Sequence, residues 1–247
     1  MCYKIHFLTS ASRGKAGGTT YRKKKKMNRR IVVWDLPTRC FHWGLALCVT
    51  GLVISVNLGG NAMLWHFRFG YGVLTLLLFR IVWGFVGGHW SRFGSFIFSP
   101  RVLVDYVRGR GRPQDSIGHN PLGALSVFAL LLILCAQVST GLMSDDEIAF
   151  AGPMSKFVSA ATVSVATWYH KGVGKSVVLA LVALHIAAIL FHLFRKKENL
   201  IQPMIQGEKA VDTDVRASTD TAKTRMLALA IALVCAAAVY ALVSLGG

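Results

Sequence analysis

Five stretches of this 247-residue chain are long and apolar enough to cross a membrane. A helix needs about 20 apolar residues to cross the hydrocarbon core, and 53% of the chain is hydrophobic. Because lipid offers no hydrogen-bond partners, each crossing segment must satisfy its backbone groups within a helix. The sequence therefore predicts an all-α integral membrane protein with spans at residues 40–58, 63–86, 121–143, 173–194 and 226–245.

The net charge of +17 is distributed as a topology signal. Lys and Arg crowd the first thirty residues, the connection between spans two and three, and the segment after span four, whereas the connection between spans one and two is uncharged. By the positive-inside rule, this alternation predicts a cytoplasmic N-terminus and a C-terminus outside. We expect the basic face to contact anionic membrane lipid, and we expect no nucleic-acid partner.

Four histidines fall at matched depths in the predicted spans. His42 opens span one near the inner face and His185 lies deep in span four, whereas His66 and His170 lie near the outer ends of spans two and four. Ionisable side chains are costly and rare inside a bilayer, and imidazole is a common axial ligand of haem iron. The pattern predicts two bis-histidine haems, one held by His66 and His170 and the other by His42 and His185.

His192 is a reserve ligand for the inner haem, because it too lies near the inner end of span four. Two haems stacked between helices need more than the roughly 10 Å that separates His185 from His192 along a helix. The fifteen-residue gap from His170 to His185 gives about 22 Å, although it offsets the two rings by about 60° around an ideal helix. An irregular helix start at Gly172 and Gly174 would absorb that offset.

Two arginines lie where a haem carboxylate could meet them, and a third lies deeper in the membrane. Arg39 precedes His42 by three residues and Arg68 follows His66 by two. Guanidinium binds carboxylate in a forked geometry, so Arg39 and Arg68 are candidate propionate partners at the inner and outer haem; the alternative for each is an interfacial anchor. Arg80 lies deeper in span two, where a buried Arg needs a partner.

Two polar features outside the ligand set have alternative interpretations. His119 precedes Asn120-Pro121, where Pro in the first turn opens span three; we expect a helix-start role, with a place near a quinone headgroup as the functional alternative. The acidic run Asp145-Asp146-Glu147 could steer a basic periplasmic cytochrome, or it could be an ordinary solvated loop.

These residues carry a family resemblance. Over roughly residues 33–207 the sequence resembles the bacterial cytochrome b561 and nickel–iron hydrogenase b-type cytochrome subunit family. The segments that carry the resemblance are Trp34-Asp35-Leu36-Pro37-Thr38-Arg39-Cys40-Phe41-His42-Trp43, His66 with Gly70, Gly118-His119-Asn120-Pro121-Leu122-Gly123-Ala124, Thr140-Gly141-Leu142, Asp145-Asp146-Glu147, Gly152-Pro153, His170, His185, His192, and Lys197-Glu198-Asn199-Leu200 through Met204 and Gly207.

The resemblance implies a four-helix bundle that holds two b-type haems ligated from spans one, two and four. Two departures concern His170: the family's span-four ligands usually lie fourteen residues apart rather than fifteen, and Lys171 replaces the usual acidic residue. We divide the chain into a disordered basic segment (1–30, with Met27 as a possible true start), a di-haem membrane domain (31–207), a cytoplasmic linker (208–225) and an additional transmembrane helix (226–247).

Taken together, these features predict a transmembrane di-haem cytochrome b of the bacterial inner membrane. It would pass electrons between a periplasmic redox partner and the quinone pool, with no open coordination position for a substrate. One alternative is a membrane-anchor subunit that relays electrons from a hydrogenase or dehydrogenase to quinone. An alternative of another class is a histidine-lined metal or proton transporter without haem.

Overall fold

The computed structural model describes residues 29–212 and 214–246 of the chain. Residues 1–28, with most of the predicted disordered segment and the possible start at Met27, lie outside the described residues. The helices are α1 (Leu36–Leu58), α2 (Met63–Val86), α3 (Pro100–Val107), α4 (Pro121–Met143), α5 (Ala160–Trp168), α6 (Lys175–Phe194), α7 (Ile201–Gln206) and α8 (Ala222–Gly246), with a π-helix at Tyr169–Gly174 and short 3₁₀ turns at Gly60–Ala62, His89–Ser91, Phe93–Ser95, Pro113–Ser116 and Ser155–Phe157.

The described residues contain five helical segments long and apolar enough to span a membrane, as the sequence predicts. Local signals fix where two of them begin. Asp35 caps α1 by accepting a hydrogen bond from the Thr38 N–H at 2.8 Å, and Asn120 caps α4 in the same way through Gly123 at 2.7 Å. Such caps satisfy backbone donors that have no partner within the helix, so the first turn of each span is held in place.

Span four is longer than the sequence predicts. It begins at Ala160 rather than at residue 173 and runs to Phe194 as one helical segment of 35 residues. The Ser159 side chain caps this earlier start by accepting from the Thr162 N–H at 3.2 Å. The predicted irregularity at Gly172 and Gly174 is present as a π-helix, but it lies inside the span, between α5 and α6, and not at its start.

The bundle consists of α1, α2, α4 and the α5–α6 segment, with α8 added to one side. Val73 and Leu77 of α2 pack with Leu134 of α4 and Val178 of α6 in one buried cluster. A second cluster joins α1 and α2 to α8 through Phe41, Phe79, Trp83, Ala228 and Cys235. The fold is therefore the predicted four-helix bundle with one further C-terminal helix.

Large apolar side chains also cover the outside of the bundle. Leu132 is 74% exposed and Val234 is 69% exposed. A soluble protein rarely presents so continuous an apolar surface. This surface fits the hydrocarbon of a bilayer.

A two-stranded antiparallel sheet closes the end of the bundle where α1 begins, which we call the basic end. β1 (Arg29–Val32) pairs with β2 (Glu208–Val211), with Arg29 opposite Val211 and Val32 opposite Glu208. Two predicted boundaries are therefore corrected: Arg29 and Arg30 are not part of a disordered segment, and the segment 208–225 begins as a strand, because each strand supplies the backbone partners that the other lacks.

The rest of the segment between β2 and α8 is also tied to the basic end. The Ser218 N–H donates to the Val32 carbonyl, and the Ser218 hydroxyl donates to the Val33 carbonyl, both at 2.8 Å. The Trp90 indole donates to the Arg216 carbonyl at 2.8 Å. These bonds fix the position from which α8 enters the bundle.

Candidate functional site

The end of the bundle away from α1's start, called here the opposite end, brings His66 and His170 together. His66 comes from α2 and His170 from the π-helix, and their ring centroids are 6.2 Å apart with perpendicular planes. His66 Nδ1 lies 3.2 Å from the Leu52 carbonyl, and His170 Nδ1 lies 2.8 Å from the Gln137 carbonyl. A carbonyl oxygen only accepts, so each Nδ1 carries the proton and each Nε2 keeps a free lone pair.

That arrangement is typical of histidines that bind a metal. Metal-binding histidines usually donate their second ring N–H to a carbonyl or carboxylate, which fixes the tautomer and the ring orientation. The structure therefore presents His66 and His170 in the state that a metal ligand requires.

The ring separation also suits one ion between the two imidazoles. Metal–imidazole nitrogen bonds are about 2 Å long, so two histidines on opposite sides of one ion hold their nitrogens about 4 Å and their ring centroids roughly 6 Å apart. The observed centroid separation of 6.2 Å for His66 and His170 agrees with this value, and so does the 6.4 Å between His42 and His185 at the basic end.

A cavity of about 400 Å³ adjoins the His66–His170 pair. It lies between α1, α2, α4, the π-helix and α6, and its walls are mostly apolar. Polar groups gather where the cavity meets the loops of the opposite end. These groups are Asp145, Asp146, Lys171 and Lys175.

Gly141 lets His170 approach α4. A Cβ at this position would lie 2.7 Å from Cε1 of the His170 ring, closer than side chains tolerate. The neighbouring Gln137 supports the same helix contact, because its side-chain amide donates to the His170 carbonyl at 2.9 Å. The His170 ring therefore packs against α4 at Gly141, and the His170 backbone is bonded to the same helix through Gln137.

The basic end brings His42 and His185 together. Their centroids are 6.4 Å apart, with 52° between the ring planes, and His42 comes from α1 whereas His185 comes from α6. His42 Nδ1 is buried, and no atom within residues 29–212 and 214–246 hydrogen-bonds to it. The two pairs that the sequence predicts from depth thus meet in space, one pair at each end of the bundle.

His192 is engaged elsewhere. Its Nδ1 lies 3.1 Å from Glu198 Oε2, and the other oxygen of Glu198 accepts from Lys209 Nζ at 2.9 Å. Burial raises the pKa of Glu198, but the bonds from Lys209 and His192 outweigh it and leave that pKa below its usual range. The geometry therefore favours His185 over His192 as the partner of His42.

The two arginines predicted beside the histidines contact other groups of the chain. The Arg68 guanidinium lies over the Trp65 ring, 4.8 Å from its centroid, and Lys171 and Lys175 are the cations among the described residues that line the cavity. Arg39 donates through Nη1 to the Ile205 carbonyl. Their predicted role toward propionates remains a prediction.

Asp35 organises the basic end, and the sequence interpretation gave it no such role. It is fully buried, and besides the Thr38 N–H it accepts from the Trp83 indole at 3.2 Å, the Gly88 N–H at 3.0 Å and the Ser91 hydroxyl at 2.7 Å. An Asp directly before a Pro-containing first turn is a recognisable N-cap signal. The partners from residues 83–91 are too distant in the chain to be inferred.

The acidic loop at the opposite end is ordered by its own backbone. Asp146 Oδ1 accepts from the N–H groups of Phe150, Ala149 and Ile148, and these bonds lower the pKa of Asp146 to about 2. Asp146 is therefore ionised throughout the physiological range, at the mouth of the cavity beside Lys171.

A membrane-embedded helix bundle that pairs imidazoles from separate helices at two depths defines a membrane cytochrome of the b type. Comparison with known families agrees: the prokaryotic cytochrome b561 family matches residues 33–207. The chain belongs to that family, which implies haem b. It is a multi-pass membrane protein of a prokaryotic family, and α8 lies beyond the matched region.

Several similar proteins are each named "Probable Ni/Fe-hydrogenase B-type cytochrome subunit" or a numbered form of that name. The protein from Bradyrhizobium diazoefficiens is 28% identical, over 72% of this chain and 85% of its own length. The protein from Azotobacter vinelandii is 27% identical (78% and 93%), and that from Escherichia coli K12 is 25% identical (72% and 90%). No solved structure gives a significant match.

Proposed function

We propose that the protein is a transmembrane di-haem cytochrome b that carries electrons between a periplasmic redox partner and the membrane quinone pool. The observation that carries this proposal is the pairing of four imidazoles into two sites, at opposite ends of one bundle, with centroid separations of 6.2 and 6.4 Å. One site alone would serve a local reaction. Two sites at different depths provide a route through the membrane.

The residues present fit haem. His66 and His170 would hold one haem, supported by Nδ1 contacts to backbone carbonyls and by the bare surface of Gly141. His42 and His185 would hold the other, where the buried Nδ1 of His42 lacks a partner. A bound bis-histidine haem supplies one-electron chemistry without an open coordination position.

The chain itself would hold the two haems, keep water away from them and fix their orientation. Helices α1, α2, α4 and α6 fix the two pairs through packed side chains, and the mostly apolar cavity walls exclude water beside His66 and His170. A dry surrounding limits solvent access and so tunes the potential of a metal site.

We place the basic end at the cytoplasm and the opposite end at the periplasm. The Lys and Arg residues that follow α2 and α6 belong to the basic end, which agrees with the positive-inside rule. A fixed negative charge at Asp146 then faces the periplasm, where it can attract a basic redox partner.

The names of the relatives favour a second function. They are hydrogenase cytochrome subunits by name, so this chain would relay electrons from a hydrogenase or dehydrogenase bound at the periplasmic end to quinone. Gentle detergent extraction of the native membrane separates the two functions. Co-purification of a large iron–sulfur subunit supports the anchor role, and a haem protein that purifies alone supports a free carrier.

Haem stoichiometry tests the common part of both functions. We expect two haem b per chain by pyridine haemochrome assay, and one after His42→Ala or His66→Ala. A protein that stays colourless when expressed with ample haem would contradict the proposal and would favour the transporter alternative.

A further inference from the structure

Arg80 is a buried cation with an unsatisfied donor. Its side chain in α2 is 2% exposed, and its buried Nη1 has no hydrogen-bond partner among the residues that the structure describes. The guanidinium carbon lies 4.6 Å from the centroid of the Phe93 ring and 6.0 Å from those of Phe41 and Phe96. Aromatic faces attract a cation, but they do not replace the hydrogen-bond acceptors that its N–H groups need. A buried charge without a partner costs free energy.

Asp35 does not fill this need. It is the acid whose charge acts on Arg80, yet none of the salt bridges among the described residues joins the two. Both Asp35 oxygens already accept hydrogen bonds, from the Thr38 and Gly88 N–H groups among others. The described residues therefore provide no carboxylate that pairs with the buried Arg80 cation.

His119 adds a second buried polar atom that has no partner among the described residues. Its ring lies 4.4 Å from the Phe96 centroid, the same ring that Arg80 approaches, and the buried atom is Nδ1, which donates in one tautomer and accepts in the other. The Arg80 guanidinium also lies 6.0 Å from the ring of Phe41, the residue directly before His42 on α1. Arg80 and His119 therefore share a site at the basic end, next to the turn of α1 that carries His42, and the charges of His42 and His185 act on His119 as well.

Arg39 is less suited to this place. Its Nε is also buried without a partner among the described residues, but the residue is only half-buried and its Nη1 is already bound to the Ile205 carbonyl. Arg80 is the more deeply buried of the two cations and keeps Nη1 free.

We propose that Arg80 binds a carboxylate of the haem held by His42 and His185, with His119 as an additional donor to the same group. This inference rests on the proposed function, since it requires a haem at that pair. A haem propionate brings the anion that the described residues do not supply, and Arg–carboxylate pairing is the strong, forked form of such a bond. The assignment gives Arg80 the role that the sequence predicted for Arg39.

A redox titration of the purified holoprotein tests the proposal. Reduction adds one electron to a haem, so a neighbouring cation favours the reduced form and its removal lowers the midpoint potential. We expect Arg80→Gln to lower one of the two potentials by at least a tenfold change in the reduction equilibrium, which is about 59 mV for one electron. Arg80→Lys should keep most of the potential, and the exposed Arg101→Gln should change neither.

The affected haem is identified with a variant that lacks it. In His185→Ala, which we expect to retain only the haem of the opposite end, a further Arg80→Gln change should leave the remaining potential unaltered. Resonance Raman spectra give a second readout, because Arg80→Gln should shift the propionate bending bands of one haem whereas Arg101→Gln should not.

Each outcome decides the matter. If the wild-type protein binds no haem, the proposed function itself is wrong. If it binds two haems, and Arg80→Gln changes neither potential and no propionate band, only this inference is wrong. A wild-type potential that moves on addition of acetate would assign Arg80 to a free anion instead. If Arg80→Gln does not accumulate, a His119→Phe variant with unchanged propionate bands refutes the shared site, and a shift in one haem supports it.

Discussion

The ring of His170 lies directly against the backbone of Gly141, so that α4 has no room for a side chain at this point. We expect Gly141→Ala to weaken or abolish the haem at the opposite end while the other haem remains. Overpacking a tight contact costs about 1–3 kcal/mol, and the ring must move to relieve it. The haem content and the separate potentials of the purified variant measure the effect.

Gly94→Ala is the matched control for this change. A Cβ there meets nothing within 4 Å, so the control should keep both haems. Equal loss of both haems in Gly141→Ala would point to general misfolding rather than to the His170 contact.

His185 and His192 should differ in what their removal takes away. We expect His185→Ala to lose the haem of the basic end, because His185 is the imidazole that meets His42. His192→Ala should retain both haems and lose only the bond to Glu198, at a cost of about 0.5–1.5 kcal/mol, because Glu198 is partly exposed and keeps its bond to Lys209. Haem loss in His192→Ala alone would reverse the assignment.

Asp35→Asn should destabilise the basic end. The amide nitrogen cannot accept, so at least one of the donors from Trp83, Gly88 and Ser91 loses its partner, at about 1–3 kcal/mol. Thermal unfolding followed by haem absorbance should show a lower transition temperature. Asp214→Asn, whose side chain is 84% exposed, is the control and should unfold like the wild type.

Glu198 should contribute pH-dependent stability. Because its pKa is lowered in the folded protein, its contribution is present above the pKa of the unfolded state and is lost as the pH falls through the lower native value. We therefore expect Glu198→Gln to unfold below the wild-type temperature at neutral pH and to approach it in acid. The exposed Glu208→Gln should track the wild type at every pH, and a difference for Glu198→Gln that grows in acid would contradict this explanation.

The sequence identified the features that depend on local pattern. Apolar stretches located the spans, because lipid imposes helical structure on them, and depth along each span paired His66 with His170 and His42 with His185. The glycines at 172 and 174 correctly indicated a disturbed helix, which the structure resolves as a π-helix.

Features that depend on distant contacts were missed. The strand pair joins residues 29–32 to residues 208–211, and four-residue strands carry almost no periodic signal. The early start of span four depends on the Ser159 cap. A serine is a helix-start signal only when the residues that follow it are recognised as helical. The contact of Arg68 with Trp65 depends on side-chain packing that spacing along the chain does not reveal, and its role toward a propionate stays a prediction.

The strand pair at the basic end has a consequence for how the chain comes apart. It fastens the residues just before α1 to those just after α7, and Ser218 continues the attachment toward α8. A protease that nicks the surface loop around Gly109, between α3 and α4, should therefore leave two fragments that stay associated and migrate together until detergent denatures them.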